Sequence, residues 1–419
     1  MFTQQGQDGG RAVARALTTH HSWATARAFR PVRSVLAAAA VAATALVATV
    51  AFGGAASAAT MHPAQPAAMP ATHHPGDTAR RPATTVTGLT WHPLTLINGW
   101  QSDQGQFDSG NPAWAVKNGI VYLSGSVHQP GSTPLSNSEF AVLPAAARPA
   151  HQQNVTVFTD GGTFGGLDIF QDGEMYVHSP LVADGQAYSS LAGVSFPAAT
   201  TATHTLSLLN GWAGNAFGNG DPAYTVTGGV VHLTGDLHQP SSGTNDEFAV
   251  LPAAARPAHT LYLNVDTYGN TTGVLNILPD GVMEAYQGNG VNVSSQDFTS
   301  LAGVSFPAAT TATQPLSLLN GWQSSQSAFG TGDPAYTVTG GVVHLSGSMN
   351  QPSAGSTEFT VLPPAARPAH DLWIMTYTDN GAVGALEIQT DGEVDAYNST
   401  GNAAQQYTSL AGIAYPVNS

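Results

Sequence analysis

Three observations predict an all-β protein of three tandem antiparallel β-sandwich (jelly-roll-like) modules. Sets of phrases recur at a spacing of about 110 residues, right for a domain and too long for a solenoid unit. Each copy carries alternating runs closed by glycine turns. The composition of 46 Gly and 27 Pro with only 9% charged residues fits short strands and many tight turns, and is too apolar for a disordered chain.

The repeat is explicit. Leu96-Ile97-Asn98-Gly99-Trp100 returns at residues 208–212 and 318–322. Glu139-Phe140-Ala141-Val142-Leu143-Pro144 returns from Glu247 and, with Thr360 for the alanine, from Glu358. Ala147-Arg148-Pro149-Ala150-His151 returns at 255–259 and 366–370, and Ser190-Leu191-Ala192-Gly193-Val194 at 300–304 and 409–413. We divide the chain into a leader (1–58), a linker rich in Pro, Ala and Thr (59–90), and copies at 91–200, 201–310 and 311–419.

Within the second copy, residues 224–227 and 230–233 flank Gly228-Gly229, whose glycines accept the positive φ of a primed turn. A second hairpin runs through 274–278, turns at Asp280-Gly281 and returns through 282–286. Residues 260–265 and 298–306 supply further strands, and the proline-bounded stretch 252–257 is too short for a stable helix and reads as a crossing loop. Short junctions such as 197–205 require neighbouring copies to touch or nearly touch.

Arg11, Arg15, Arg27, Arg30 and Arg33 precede an apolar run at 35–52, and Ala56-Ser57-Ala58 supplies small residues for a peptidase. This reads as an export signal, with an uncleaved anchor as the alternative. The mature chain is expected to be secreted, with no membrane insertion after cleavage. From Trp91 onward, Lys117, Arg148, Arg256 and Arg367 face 24 Asp and Glu, a formal charge of −20 with His neutral. So few cations exclude a nucleic-acid or anionic-lipid partner and leave neutral sugars, cationic surfaces and divalent ions. Cysteine is absent, which excludes disulfides and thiolate chemistry.

Trp100, Trp212 and Trp322 are candidate sugar-stacking platforms, although the alternative places each in its module's core. His128 and His238 precede Gln-Pro in the first two copies, with Asn350 in the third, and are further candidate ligand-binding residues. Glu139 with Arg148, Glu247 with Arg256, and Glu358 with Arg367 read as ion pairs that pin the crossing loop. His151, His259 and His370 repeat without an acid at fixed spacing, which favours a structural role. His232 and Asp236 share a strand face, too few ligands for a zinc site by themselves. The Asp-Gly turns at Asp172, Asp280 and Asp391 invite a Ca²⁺ reading, and the third is the best case because Asp391, Glu393 and Asp395 alternate along one strand, although a tight hairpin needs Asp-Gly anyway; no other cofactor is expected.

No G-x-S-x-G elbow, H-E-x-x-H pair or phosphate loop is present, so we expect a non-enzyme. The expected function is binding of a glycan or another cell-surface polymer through the loops that vary between copies. The alternatives are a structural or adhesion repeat of the cell exterior and, second, a carbohydrate-active enzyme.

The phrases also resemble the receptor-binding head domains of phage tail fibres and baseplates. The Leu-Asn-Gly-Trp opening (Ile97 for the leucine in the first copy), the glycine hairpin, the Leu-Pro…Arg-Pro segment, the late Asp-Gly hairpin and the closing strand occur in that order in each copy over residues 94–419. The resemblance implies an antiparallel sandwich, glycan binding and grouping in threes. Three copies in one chain would then form an intrachain pseudo-trimer.

Overall fold

The computed structural model describes residues 88–131, 138–179, 182–240, 245–287, 294–353, 355–398 and 401–418. The expected leader and nearly all of the linker lie outside these residues, as do parts of the variable loops. Among the described residues no helix is long and apolar enough to cross a membrane.

Each copy is built from two antiparallel sheets. In the first, β1 (His92–Pro93), β3 (Ala113–Lys117), β4 (Ile120–Ser124) and β11 (Ser195–Pro197) form a four-stranded sheet in the order β1-β3-β4-β11. The second sheet has the order β2-β5-β10-β7-β8-β9-β6. Its strands are β2 (Gln101–Ser102), β5 (Ser126–His128), β6 (Glu139–Val142), β7 (Gln153–Thr159), β8 (Thr163–Ile169), β9 (Glu174–His178) and β10 (Ser189–Ser190). Val121, Leu123 and Phe196 of the first sheet share one core with Phe140, Val155, Leu167, Ile169 and Met175 of the second. The second copy repeats both orders. In the third the larger sheet divides into three and four strands, joined by the single bridge Thr378–Thr408.

The sequence accounts for the local geometry. Gly228 and Gly229 take φ of 60° and 82°, as the hairpin requires, and Ala223–Thr227 pairs with Val230–Thr234 across them. The later hairpin pairs Thr271–Ile277 with Val282–Tyr286. The run at 298–306 is two short strands, Thr299–Ser300 and Ser305–Pro307, which belong to different sheets. The crossing loop contains one 3₁₀ turn, Ala253–Ala255. In the opening phrase, Asn98, Asn210 and Asn320 sit at φ of 55°, 52° and 51°, a region Asn tolerates better than most residues. Their side-chain amides donate to the carbonyls of Glu139, Glu247 and Glu358.

The described residues form one compact unit, and the three copies close on themselves within it. Strand β7 packs against both of its equivalents, Leu261–Thr267 and Leu372–Tyr377, which also pack on each other. The contacts run in one direction around the ring. The backbone at Gly110 abuts His370, that at Gly220 abuts His151, and that at Gly332 abuts His259. A second set repeats the cycle: Gly193 against Ile374, Gly303 against Val155, and Gly412 against Leu263. Such a heterologous contact closes after three steps into a pseudo-threefold ring. The repeated His and the closing Leu-Ala-Gly phrase are therefore joints between copies. A small cavity of about 70 Å³ lies where the three meet, lined by Thr156, Asn264, Met375 and the glycines 193, 303 and 412.

Candidate functional site

The three tryptophans are core residues. Trp100, Trp212 and Trp322 are 4%, 5% and 4% exposed, with ring centroids 5.9–6.0 Å from Phe140, Phe248 and Phe359. The indole N–H groups of Trp212 and Trp322 donate to the carbonyls of Asn245 and Ser356. None presents a face to a sugar, which corrects the stacking expectation. An Asn-Gly turn followed by Trp inserts the indole between the sheets because the turn fixes which way the next side chain points.

The ion-pair expectation also requires correction. Arg148, Arg256 and Arg367 each donate Nε to a backbone carbonyl five residues earlier, those of Leu143, Leu251 and Leu362, at 2.9–3.0 Å. The same guanidinium covers the glycine of the Asp-Gly turn, Gly173, Gly281 or Gly392. Arginine thus ties the crossing loop to the late hairpin through backbone carbonyls. Glu139 and Glu358 accept from the side chains of Asn98 and Asn320 instead.

His128 places Nδ1 3.3 Å from Oδ1 of Asp103, and the Asp236 carboxyl feels the neighbouring His238. Neither His meets a tryptophan face. His232 is buried and its imidazole is pushed down to about 3, first by burial and then by His344; burial alone pushes His344 down to about 4. Both rings are neutral packing groups. Asp236 is turned to the amides of Ala216 and Phe217, away from any zinc arrangement with His232.

Asp391 accepts from the Glu393 amide and closes its turn, while Asp395 accepts from Thr357. Among the described residues no three His, Asp or Glu side chains converge to hold a metal, so Asp391, Glu393 and Asp395 are not brought together for calcium.

What the structure brings together lies at the joints. Where copy three meets copy one, Trp373 lies between Phe158 at 5.1 Å and Phe107 at 6.1 Å. Where copy two meets copy three, Tyr262 lies near Tyr377 at 5.6 Å and Phe329 at 6.4 Å. The third joint differs, because Asn154 occupies the place of Trp373 and Tyr262. Phe217, the counterpart of Phe107 and Phe329, meets no ring across it among the described residues.

Phe217 instead neighbours Tyr268 at 6.1 Å and Phe298 at 5.2 Å within its own copy. Phe217 and Tyr268 are 53% and 51% exposed, the two most exposed large hydrophobic side chains among the described residues. Both stand in loops, beside Asn215 and Asn270 at positive φ. An adjoining, half-exposed aromatic pair among short polar side chains can stack on a flat ligand and hydrogen-bond its edge. The repeat pattern concealed this pair, because Tyr268 has Asp160 and Asp379 as its counterparts. Tyr268 does stand out among the copies as an aromatic where the others carry Asp, although its exposure is not legible in the sequence. Comparison of the chain with family models, with curated proteins and with solved structures finds no match in any of the three.

Proposed function

We propose that this chain is an exported, non-catalytic binding protein that recognises a glycan or another cell-surface polymer. The observation that carries the reading is the exposed Phe217–Tyr268 pair on the loops of a rigid sandwich ring. A pyranose ring offers an apolar face to such a pair, and its hydroxyls suit Asn215 and Asn270 nearby. The strongly acidic surface favours neutral or cationic polymers.

The test is a glycan array and a polysaccharide pull-down with the purified chain. Binding is expected on at least one neutral or amino-sugar polymer, and Phe217→Ala or Tyr268→Ala should weaken it about tenfold, or ~1.4 kcal/mol. Uniform silence across the array, or binding untouched by both substitutions, overturns the reading.

A further inference from the structure

The three joints can be compared residue by residue, because the strand register fixes the equivalences. Thr159, Thr267 and Thr378 occupy one place, paired with Ser189, Thr299 and Thr408. Counting back one residue aligns Phe158, Asp266 and Tyr377. Counting back five aligns Asn154, Tyr262 and Trp373. Their cross-strand partners are Asp168, Asn276 and Glu387, and the next pairs along place His178 with Tyr286 and Tyr397.

At two joints the meeting residues are aromatic: Phe158 on Trp373, and Tyr377 on Tyr262. At the joint between copies one and two the same places hold Asn154 and Asp266, with Asp168 and His178 behind them. A polar chain crosses this joint. The Asn219 side chain donates to Oδ1 of Asn154, whose amide donates to Asp168, and His178 Nδ1 lies 3.5 Å from the other Asp168 oxygen. The Ser300 hydroxyl donates to the Asn154 carbonyl at 2.7 Å, and the Thr234 hydroxyl donates to the Gln153 side-chain oxygen at 3.1 Å.

Asp266 is the anomaly. It is 6% exposed, and its Oδ1 is buried with no hydrogen-bond partner. The charged group set against it is a second carboxyl, Asp168, from the other copy, and the base set against Asp168 is His178. Asp297 and Tyr377 stand on other elements packed against its strand and add no positive charge. The Thr267 backbone N–H supplies one hydrogen bond to the carboxyl, yet no cation offsets its burial and the facing Asp168, so the group favours its neutral form.

We propose that the joint between the first two copies is a proton-operated latch: it is tight while Asp266 carries a proton and loosens as that proton is lost. Loosening frees the loops that carry Phe217 and Tyr268, whereas the two aromatic joints carry Phe158 and Tyr377 at this position, with no acid there. Burial first, and then Asp168, push the Asp266 carboxyl well above the usual carboxylate range. The stability tied to the neutral acid is therefore full below about pH 4, the unfolded value, and is lost as pH rises through the higher folded value.

Hydrogen exchange on the full chain reads this locally. Peptides covering residues 266–270 are compared with the equivalent 377–381, whose joint carries Tyr262 and Asn276 instead of acids, so the intrinsic pH dependence of exchange largely divides out. In the wild type, protection at 266–270 relative to 377–381 should fall about tenfold between pH 4.5 and 8. In Asp266→Asn, a neutral isostere, the ratio should stay flat, and the variant should melt with the wild type at pH 4 but above it at pH 8. A flat wild-type ratio overturns the latch even if the variant does not fold. An equal fall in wild type and variant overturns it as well.

Discussion

Gly332→Ala tests whether the ring is closed by the joints described. Gly332 sits at φ +75°, and a Cβ there would lie 2.5 Å from Cδ2 of His259 in the preceding copy. The backbone conformation alone costs a non-glycine residue roughly 1–2 kcal/mol. Forcing the imidazole aside in a packed joint adds about 1–3 kcal/mol. The single substitution should therefore cost about 2–5 kcal/mol in urea unfolding. His259→Ala, which removes the ring, should cost about 1–2 kcal/mol by itself. In the double variant the steric part vanishes, so the combined loss should fall short of the sum by about 1–3 kcal/mol. Losses that add to within ~0.5 kcal/mol would mean that His259 does not rest on Gly332, and the ring geometry would be refuted.

Trp322→Ala should cost about 3–5 kcal/mol in chemical unfolding, the loss expected for a core indole, whereas Phe217→Ala should change stability by less than about 1 kcal/mol. Arg256→Met removes a half-buried guanidinium from the Leu251 carbonyl and should cost about 1.5–3 kcal/mol, while Glu247→Gln should shift stability by no more than ~0.5 kcal/mol. Comparable losses from the two would restore the ion pair. The Glu387 carboxyl is pushed up to about 7, chiefly by burial. Because the folded value exceeds the unfolded one, stability tied to the neutral acid is full below about pH 4.3 and is lost as pH rises to about 7. Glu387→Gln should thus match the wild type in melting near pH 4 and exceed it by about 1–2 kcal/mol at pH 8.

The sequence determined the repeat, the all-β class and the main hairpins, because these depend on contacts between near neighbours. Gly228-Gly229 can only turn, and Asn98-Gly99 reverses the chain wherever it stands. Residue type alone could not decide burial. A tryptophan such as Trp100 can serve a sugar face or a core; its high average burial favours the core, and the second sheet closing over it puts it there. Arg148 bonds the Leu143 carbonyl and not Glu139 for a related reason: a carboxylate nine residues away in sequence competes with a carbonyl presented by the folded loop, and spacing does not rank the two.

His151, His259 and His370 had no partner within their own copies because their partners are the glycines of the next copy. The difference among the three joints was written in the chain as Asn154, Asp266 and His178, yet it had no meaning until the register set these residues against one another. A sandwich copy specifies its own strands from within. Which of its faces meets a neighbour is a property of the closed ring, and only the tertiary structure supplies it.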